Sequence, residues 1–184
     1  MRRLVTIALT VLLCSTLAAT VGLAQTSTTT HGTAQQLGPF AYYNFYSSDG
    51  TSVLGTAQRL GPFTYYNFNS TGGEMTSGTS QEFGPFTHYN FHANGTSTNG
   101  TSQNLGPFTY YEFHSSDGTS TQGTSQELGS FTFFDFNSSD GSSTSGSSNQ
   151  LGTTTYWDLL GFEPVDAGFG SWDSYFDSSF ATDD

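Results

Sequence analysis

Leu60-Gly61-Pro62-Phe63-Thr64-Tyr65-Tyr66-Asn67-Phe68 is the stretch on which the fold turns. Aromatic residues and Thr suit a pleated surface, and Gly-Pro marks a bend ahead of them, because Pro fixes φ and withholds a ladder donor. Alternation sends Phe63 and Tyr65 to one face, and Tyr66 and Phe68 to the other. Both faces are aromatic, so such a strand needs cover on two sides.

The stretch is half of a repeat. Gly-Thr-Ala-Gln-Gln-Leu-Gly-Pro-Phe-Ala-Tyr-Tyr-Asn-Phe begins at Gly32 and returns at Gly55, Gly78, Gly100, Gly123 and Gly146, a spacing of 23 residues with one step of 22. A fixed period of this size governs the fold. The other half of each copy is polar, as in Ser115-Ser-Asp-Gly-Thr-Ser-Thr-Gln-Gly-Thr-Ser-Gln126. The halves meet at Asp49-Gly50, Gly72-Gly73, Asn94-Gly95, Asp117-Gly118 and Asp140-Gly141, dipeptides for turns that need positive φ. Both halves read as strands, so the fold class is all-β. Two architectures satisfy the pattern. Near-identical copies favour a β-solenoid or cross-β stack, in which residue i lies beside residue i+23 and rows of Phe and Gln form ladders. The turn dipeptides favour the alternative, an antiparallel β-meander.

Composition removes several functions. The chain has 184 residues, 16% of them aromatic and only 10% charged, with a formal net charge of −12. Its three basic residues are Arg2, Arg3 and Arg59, and it has no lysine. A nucleic-acid partner is excluded, since phosphates call for clustered cations. Residues 1–24 read as a secretory signal peptide, with Arg2-Arg3 ahead of an apolar run and small residues before Gln25. Cys14 lies inside it, so the mature chain has no thiol, its net charge is −14, and secretion to the cell surface or beyond is expected. No later stretch is long and apolar enough for a membrane span. The expected organisation is a Thr-rich leader at 25–31, a six-copy β-repeat domain at 32–161 and an acidic aromatic tail at 162–184, where Trp172, Tyr175, Phe176 and Phe180 fall on one helical face.

Tandem copies of 22–23 residues, with Gln, Asn, Gly and Ser at fixed places behind a signal peptide, resemble curli-type functional-amyloid subunits of bacterial biofilms across about residues 32–159. The curli order of Ser, Gln, Gly and Asn is not reproduced, and Pro stands in four copies here. The resemblance therefore implies a class, a secreted self-assembling matrix fibre, and no individual residue roles. From the residues themselves, an uncovered aromatic face and open stack ends lead to the same expectation, a homopolymer. Its contacts are assigned to Phe40, Tyr43, Phe45, Phe63, Tyr66, Phe68, Phe86, Tyr89, Phe91, Phe108, Tyr111, Phe113, Phe131, Phe134 and Phe136, with the row Gln58, Gln81, Gln103 and Gln126.

Other chemistry is sparse. No His lies in a triad setting and no nucleophile elbow is present, so no enzyme and no cofactor is expected. His92 and His114 share a repeat slot and in a stack would be neighbours able to share a metal ion. The row Asn44, Asn67, Asn90, Glu112, Asp135 and Asp158 calls for solvation or Ca²⁺. Asn69, Asn94, Asn99 and Asn137 each begin an N-x-[ST] sequon, making covalent glycans an expected modification. The triplets Thr96-Ser-Thr98 and Thr119-Ser-Thr121 point to a second role, a monomeric surface-binding module for ice or glycan.

Overall fold

The computed structural model describes residues 27–162, and every regular element in this range is a strand. They are β1 (Ser27–Leu37), β2 (Phe40–Ser47), β3 (Ser52–Leu60), β4 (Phe63–Ser70), β5 (Met75–Phe83), β6 (Phe86–Ala93), β7 (Thr96–Leu105), β8 (Phe108–Ser115), β9 (Ser120–Leu128), β10 (Phe131–Ser138), β11 (Ser143–Leu151) and β12 (Thr154–Phe162). Each pairs antiparallel with its chain neighbours, and β12 returns to pair with β1, closing a barrel. The signal peptide and nearly all of the acidic tail lie outside the described residues. The Thr-rich leader is not a separate segment: Ser27–His31 form the first half of β1, with Thr28 and Thr30 buried.

The meander, not the solenoid or cross-β stack, is what these residues build. Two turn types, alternating along the chain, decide it. Each aromatic strand starts right after a two-residue turn whose first residue is a Gly at φ near +60°, as at Gly38-Pro39 between the paired Leu37 and Phe40. Gly first with Pro second is a type II′ hairpin turn, whose twist matches that of the strands it joins. The other rim uses a three-residue loop. Gly50 N–H donates to Ser47 O, Ser47 N–H donates to Thr51 O, and Gly50 sits at φ 90°. The Thr119 N–H caps Asp117 in the equivalent loop at 2.9 Å and holds its carboxyl below the usual range. One hairpin differs. Asn94 and Gly95 are both at positive φ, and Ala93 pairs directly with Thr96. This is a type I′ turn, one residue shorter, and it accounts for the single 22-residue step.

Repeat equivalents are therefore two strands apart. Phe63 on β4 and Phe86 on β6 have β5 between them, a separation of about 9.5 Å rather than the 4.8 Å of a stack. Rows of identical side chains do not form. Instead Phe63 lies opposite Gln81, and Gln81 in turn opposite His88.

Alternation fills the interior. Tyr66 and Phe68 are 1% and 2% exposed, as are their counterparts in the other aromatic strands to within a few per cent, ending in Trp157 and Leu159 on β12. The rings pack from strand to strand: Tyr66 meets Phe91 at 5.6 Å and Tyr89 meets Phe113 at 5.5 Å, in tilted geometry. Phe45 and Phe134 both contact Trp157 across the closing segment. Each inward Phe needs space on the strand beside it, and a repeat glycine provides it. A Cβ on Gly55 would lie 2.0 Å from the Phe68 ring. Tyr hydroxyls are met by Ser on the following strand, Tyr66 by Ser80, Tyr89 by Ser102 and Tyr111 by Ser125, all at 3.1 Å. The first copy breaks this pattern: Ala57 stands in the Ser slot, and the buried Tyr43 hydroxyl has no partner.

Candidate interaction surfaces

The outer wall has two zones. Around the Gly-Pro rim, each hairpin turns its flanking residues outward as a pair, such as Leu60 with Phe63 and Phe83 with Phe86. With Leu37, Leu105, Leu128 and Leu151 they make an exposed apolar ring, and Tyr42, Tyr65, Tyr110, Phe133 and Tyr156 form a second tier above it. The ring follows the barrel wall but is interrupted at β12, where Thr154 stands in the Phe slot beside Gln35 of β1, and the second tier is interrupted at β6 by His88. It is about two outward layers tall, against the 25 Å apolar band of a barrel that spans a bilayer. Among the described residues no helix is long and apolar enough to cross a membrane.

Toward the opposite rim the wall is mainly polar and acidic, apart from the exposed Tyr46, Leu54 and Met75 on β2, β3 and β5, with Glu112, Asp135 and Asp158 at mid-height and Asp49, Asp117 and Asp140 in the loops. Arg59 does not offset this charge outside. It lies in the inward register at the Gly-Pro mouth, where its Nη2 donates to Glu82 Oε2 at 2.6 Å.

The assembly residues expected from the sequence divide between the two faces. Tyr43, Phe45, Tyr66, Phe68, Tyr89, Phe91, Tyr111, Phe113, Phe134 and Phe136 are core residues, engaged within one chain. Burial also keeps three of these phenols protonated: Tyr66 is pushed up to about 12, and Tyr43 and Tyr89 well above the ordinary 10.0, desolvation being the main cause in each. Phe40, Phe63, Phe86, Phe108 and Phe131 face outward, between 38% and 46% exposed. The Gln row is half-buried, spaced between outward aromatics. Sequence reasoning missed the Leu residues and the outward Tyr tier. The signal was there in the two-residue turn, because the residues flanking such a turn pair and share a face.

Other expected groupings are not brought together. His92 and His114 are on β6 and β8 with β7 between them; His92 Nδ1 meets Ser97 Oγ at 2.9 Å and His114 Nε2 meets Glu112 at 3.3 Å. The acid row is likewise split by intervening strands, and Asp158 pairs with His31 at 2.6 Å. No group of three or more His, Cys, Asp and Glu suited to a metal ion occurs among the described residues. Thr98 and Thr121 turn away from the outer wall, bonding Ser115 and Ser138. The outward Thr33, Thr56, Thr79, Thr101 and Thr124 follow the curved wall, whereas an ice face requires a flat array. The four sequon asparagines are all exposed.

Depressions cross the wall between the belt and the polar zone, where Thr on odd strands lies between larger side chains on even strands. One, of about 880 Å³, runs from Phe86 on β6 over β7 to β10. Thr124 lies between Tyr110 and Asp135, and one tier higher Gln122 lies between Glu112 and Asn137. A second of about 540 Å³ adjoins it, with Thr101 between His88 and Glu112.

No family model, curated protein or solved structure matches this chain. Function has to be read from its surfaces.

Proposed function

We propose that this is a secreted, non-enzymatic structural protein whose copies self-assemble into an extracellular matrix polymer. The observation that carries the reading is the apolar belt, which runs from Leu37 and Phe40 round to Leu151. Contiguous exposed apolar surface on this scale is a liability for a monomer and marks association. Its direction matters too. The Leu, Phe and Tyr side chains point radially, so end-to-end stacking would leave them wet, while side-by-side packing of barrels covers them. Polymerisation through open sheet edges is not part of the mechanism, because the closed barrel has none. Repulsion between the acidic zones disfavours contacts away from the belt.

Sedimentation and electron microscopy of the mature chain at rising concentration test this. Lateral oligomers or sheets of barrels are expected, and a variant carrying Phe63→Ser, Phe86→Ser and Phe108→Ser should stay monomeric with its strand content intact. A wild-type chain that is a discrete monomer at every concentration refutes the reading. A second role, binding of glycans, is favoured by the grooves between the belt and the polar zone.

A further inference from the structure

We infer that the groove over β8, β9 and β10 is a binding site for a neutral polysaccharide strand. The inference deepens the glycan-binding reading and rests on it; the groove shares Tyr110 with the second tier of the belt and is otherwise lined by residues outside it.

Depth comes first. Thr124 forms a floor, and the walls rise from strands about 10 Å apart, the room for one pyranose ring lying edge-on. The two tiers supply different contacts. The lower has the Tyr110 ring, 48% exposed, whose face matches the C–H face of a sugar. The upper has carboxylate and amide groups, Glu112, Gln122 and Asn137, which accept from and donate to ring hydroxyls. Asp135 is already oriented, since Asn137 Nδ2 donates to its Oδ1 at 3.0 Å, leaving its other oxygen for a ligand. An ordered polar group loses less freedom on binding.

Charge sets the class of sugar. The described outer wall has no Lys or Arg to balance a uronate or sulfate, and Arg59 is committed to Glu82 in the mouth. Anionic polysaccharides are repelled, and neutral ones are not. The repeat also makes the site plural. Thr101 between His88 and Glu112, and Thr79 between Tyr65 and Asn90, reproduce the same aromatic–Thr–polar triad around the barrel. A chain laid across successive grooves gains avidity without new chemistry.

The test is an NMR titration of the full secreted chain, made in a host that adds no N-glycan so that Asn137 is bare. The probes are neutral hexasaccharides of glucose, mannose, galactose and xylose units, with spermine and an oligouronate as charged comparators. At least one neutral sugar should shift residues of β8–β10, persist in high salt, and weaken about tenfold with Tyr110→Ala, the upper end of what one aromatic face contributes. Asp135→Asn should weaken it less. Absence of shifts with every neutral sugar overturns the inference. So does binding of spermine alone that salt abolishes, which would make the groove a cation site. Sugar binding unchanged by both substitutions keeps glycan binding but removes this groove from it. Because Tyr110 also belongs to the belt, sedimentation of each variant reads assembly separately, and the Asp135→Asn result, at a residue outside the belt, reads the groove alone.

Discussion

Replacing Ala57 by Ser should stabilise the barrel. Three inward tyrosines, Tyr66, Tyr89 and Tyr111, each meet a Ser hydroxyl on the following strand at 3.1 Å. Tyr43 occupies the same place in the first copy, is 3% exposed, and has Ala57 at the position where the other copies carry Ser, and its hydroxyl is buried without a partner. Leaving such a group unpaired costs about 1–3 kcal/mol, and a new hydrogen bond between neutral groups returns about 1 kcal/mol net once the added hydroxyl is itself desolvated. Room is not in question, because Ser80, Ser102 and Ser125 fit the equivalent slots. The expected gain is about 1 kcal/mol, a rise in Tm of about 3 °C for a domain of this size. Urea unfolding of four chains, wild type, Ala57→Ser, Tyr43→Phe and the double variant, separates the hydrogen bond from packing. Tyr43→Phe should be neutral or slightly stabilising in the wild type, where it removes an orphan. In the Ala57→Ser background it should cost about 1 kcal/mol. An unchanged or lowered midpoint for Ala57→Ser, with no coupling between the two sites, would refute the idea that this slot is a hydrogen-bond position.

Gly55→Ala should cost about 3 kcal/mol or more, because the new Cβ meets the Phe68 ring and neither a close-packed core nor the strand can yield; thermal unfolding reads this, and a loss below about 1 kcal/mol would mean the ring turns aside freely. Alkaline pH should unfold the barrel cooperatively. Tyr43, Tyr66 and Tyr89 have raised folded pKa values, so their contribution is complete below the ordinary 10.0 and is lost as pH rises toward about 12, where the unfolded chain releases protons that the folded chain retains. Tyrosinate absorbance should then rise in one step together with loss of the strand circular-dichroism signal. Asn94→Val should cost about 1–2 kcal/mol, since φ of +48° suits Asn and not a β-branched residue. Asn94→Gly should be close to neutral, and the pair can be compared by urea midpoints.

Much of this architecture is legible in the residues. Alternation in Phe63 to Phe68 and the Gly-bearing turns place every strand, and the 22-residue step foretells a shorter hairpin. Solenoid and meander remain open on paper because a tandem repeat looks alike in both. Turn geometry separates them: Gly-Pro as a two-residue hairpin reverses the chain by a full half-turn, and a solenoid coil needs corners instead. Closure is not legible, because nothing local in β1 or β12 states that they pair. Facing is only half legible. Tyr66 and Phe68 look no more buried than Phe63 and Tyr65 until Gly55 is seen opposite Phe68, where an absent side chain makes room for a ring. The groove over β9 is illegible for a similar reason, since Tyr110, Thr124 and Asp135 belong to three strands whose register fixes their meeting.

The seam between β1 and β12 has a kinetic consequence. Eleven of the twelve pairings in the described barrel join strands adjacent in sequence, and such local hairpins form early. The twelfth joins residues as distant as His31 and Asp158, 127 positions apart, so ring closure comes last. Until then the chain is a curved ribbon with one complementary margin at each end. Closure is unimolecular and independent of concentration, whereas meeting the matching margin of another ribbon is bimolecular and grows with it. Crowded refolding therefore diverts ribbons into open head-to-tail chains of arcs, a swapped form that dilution during refolding suppresses.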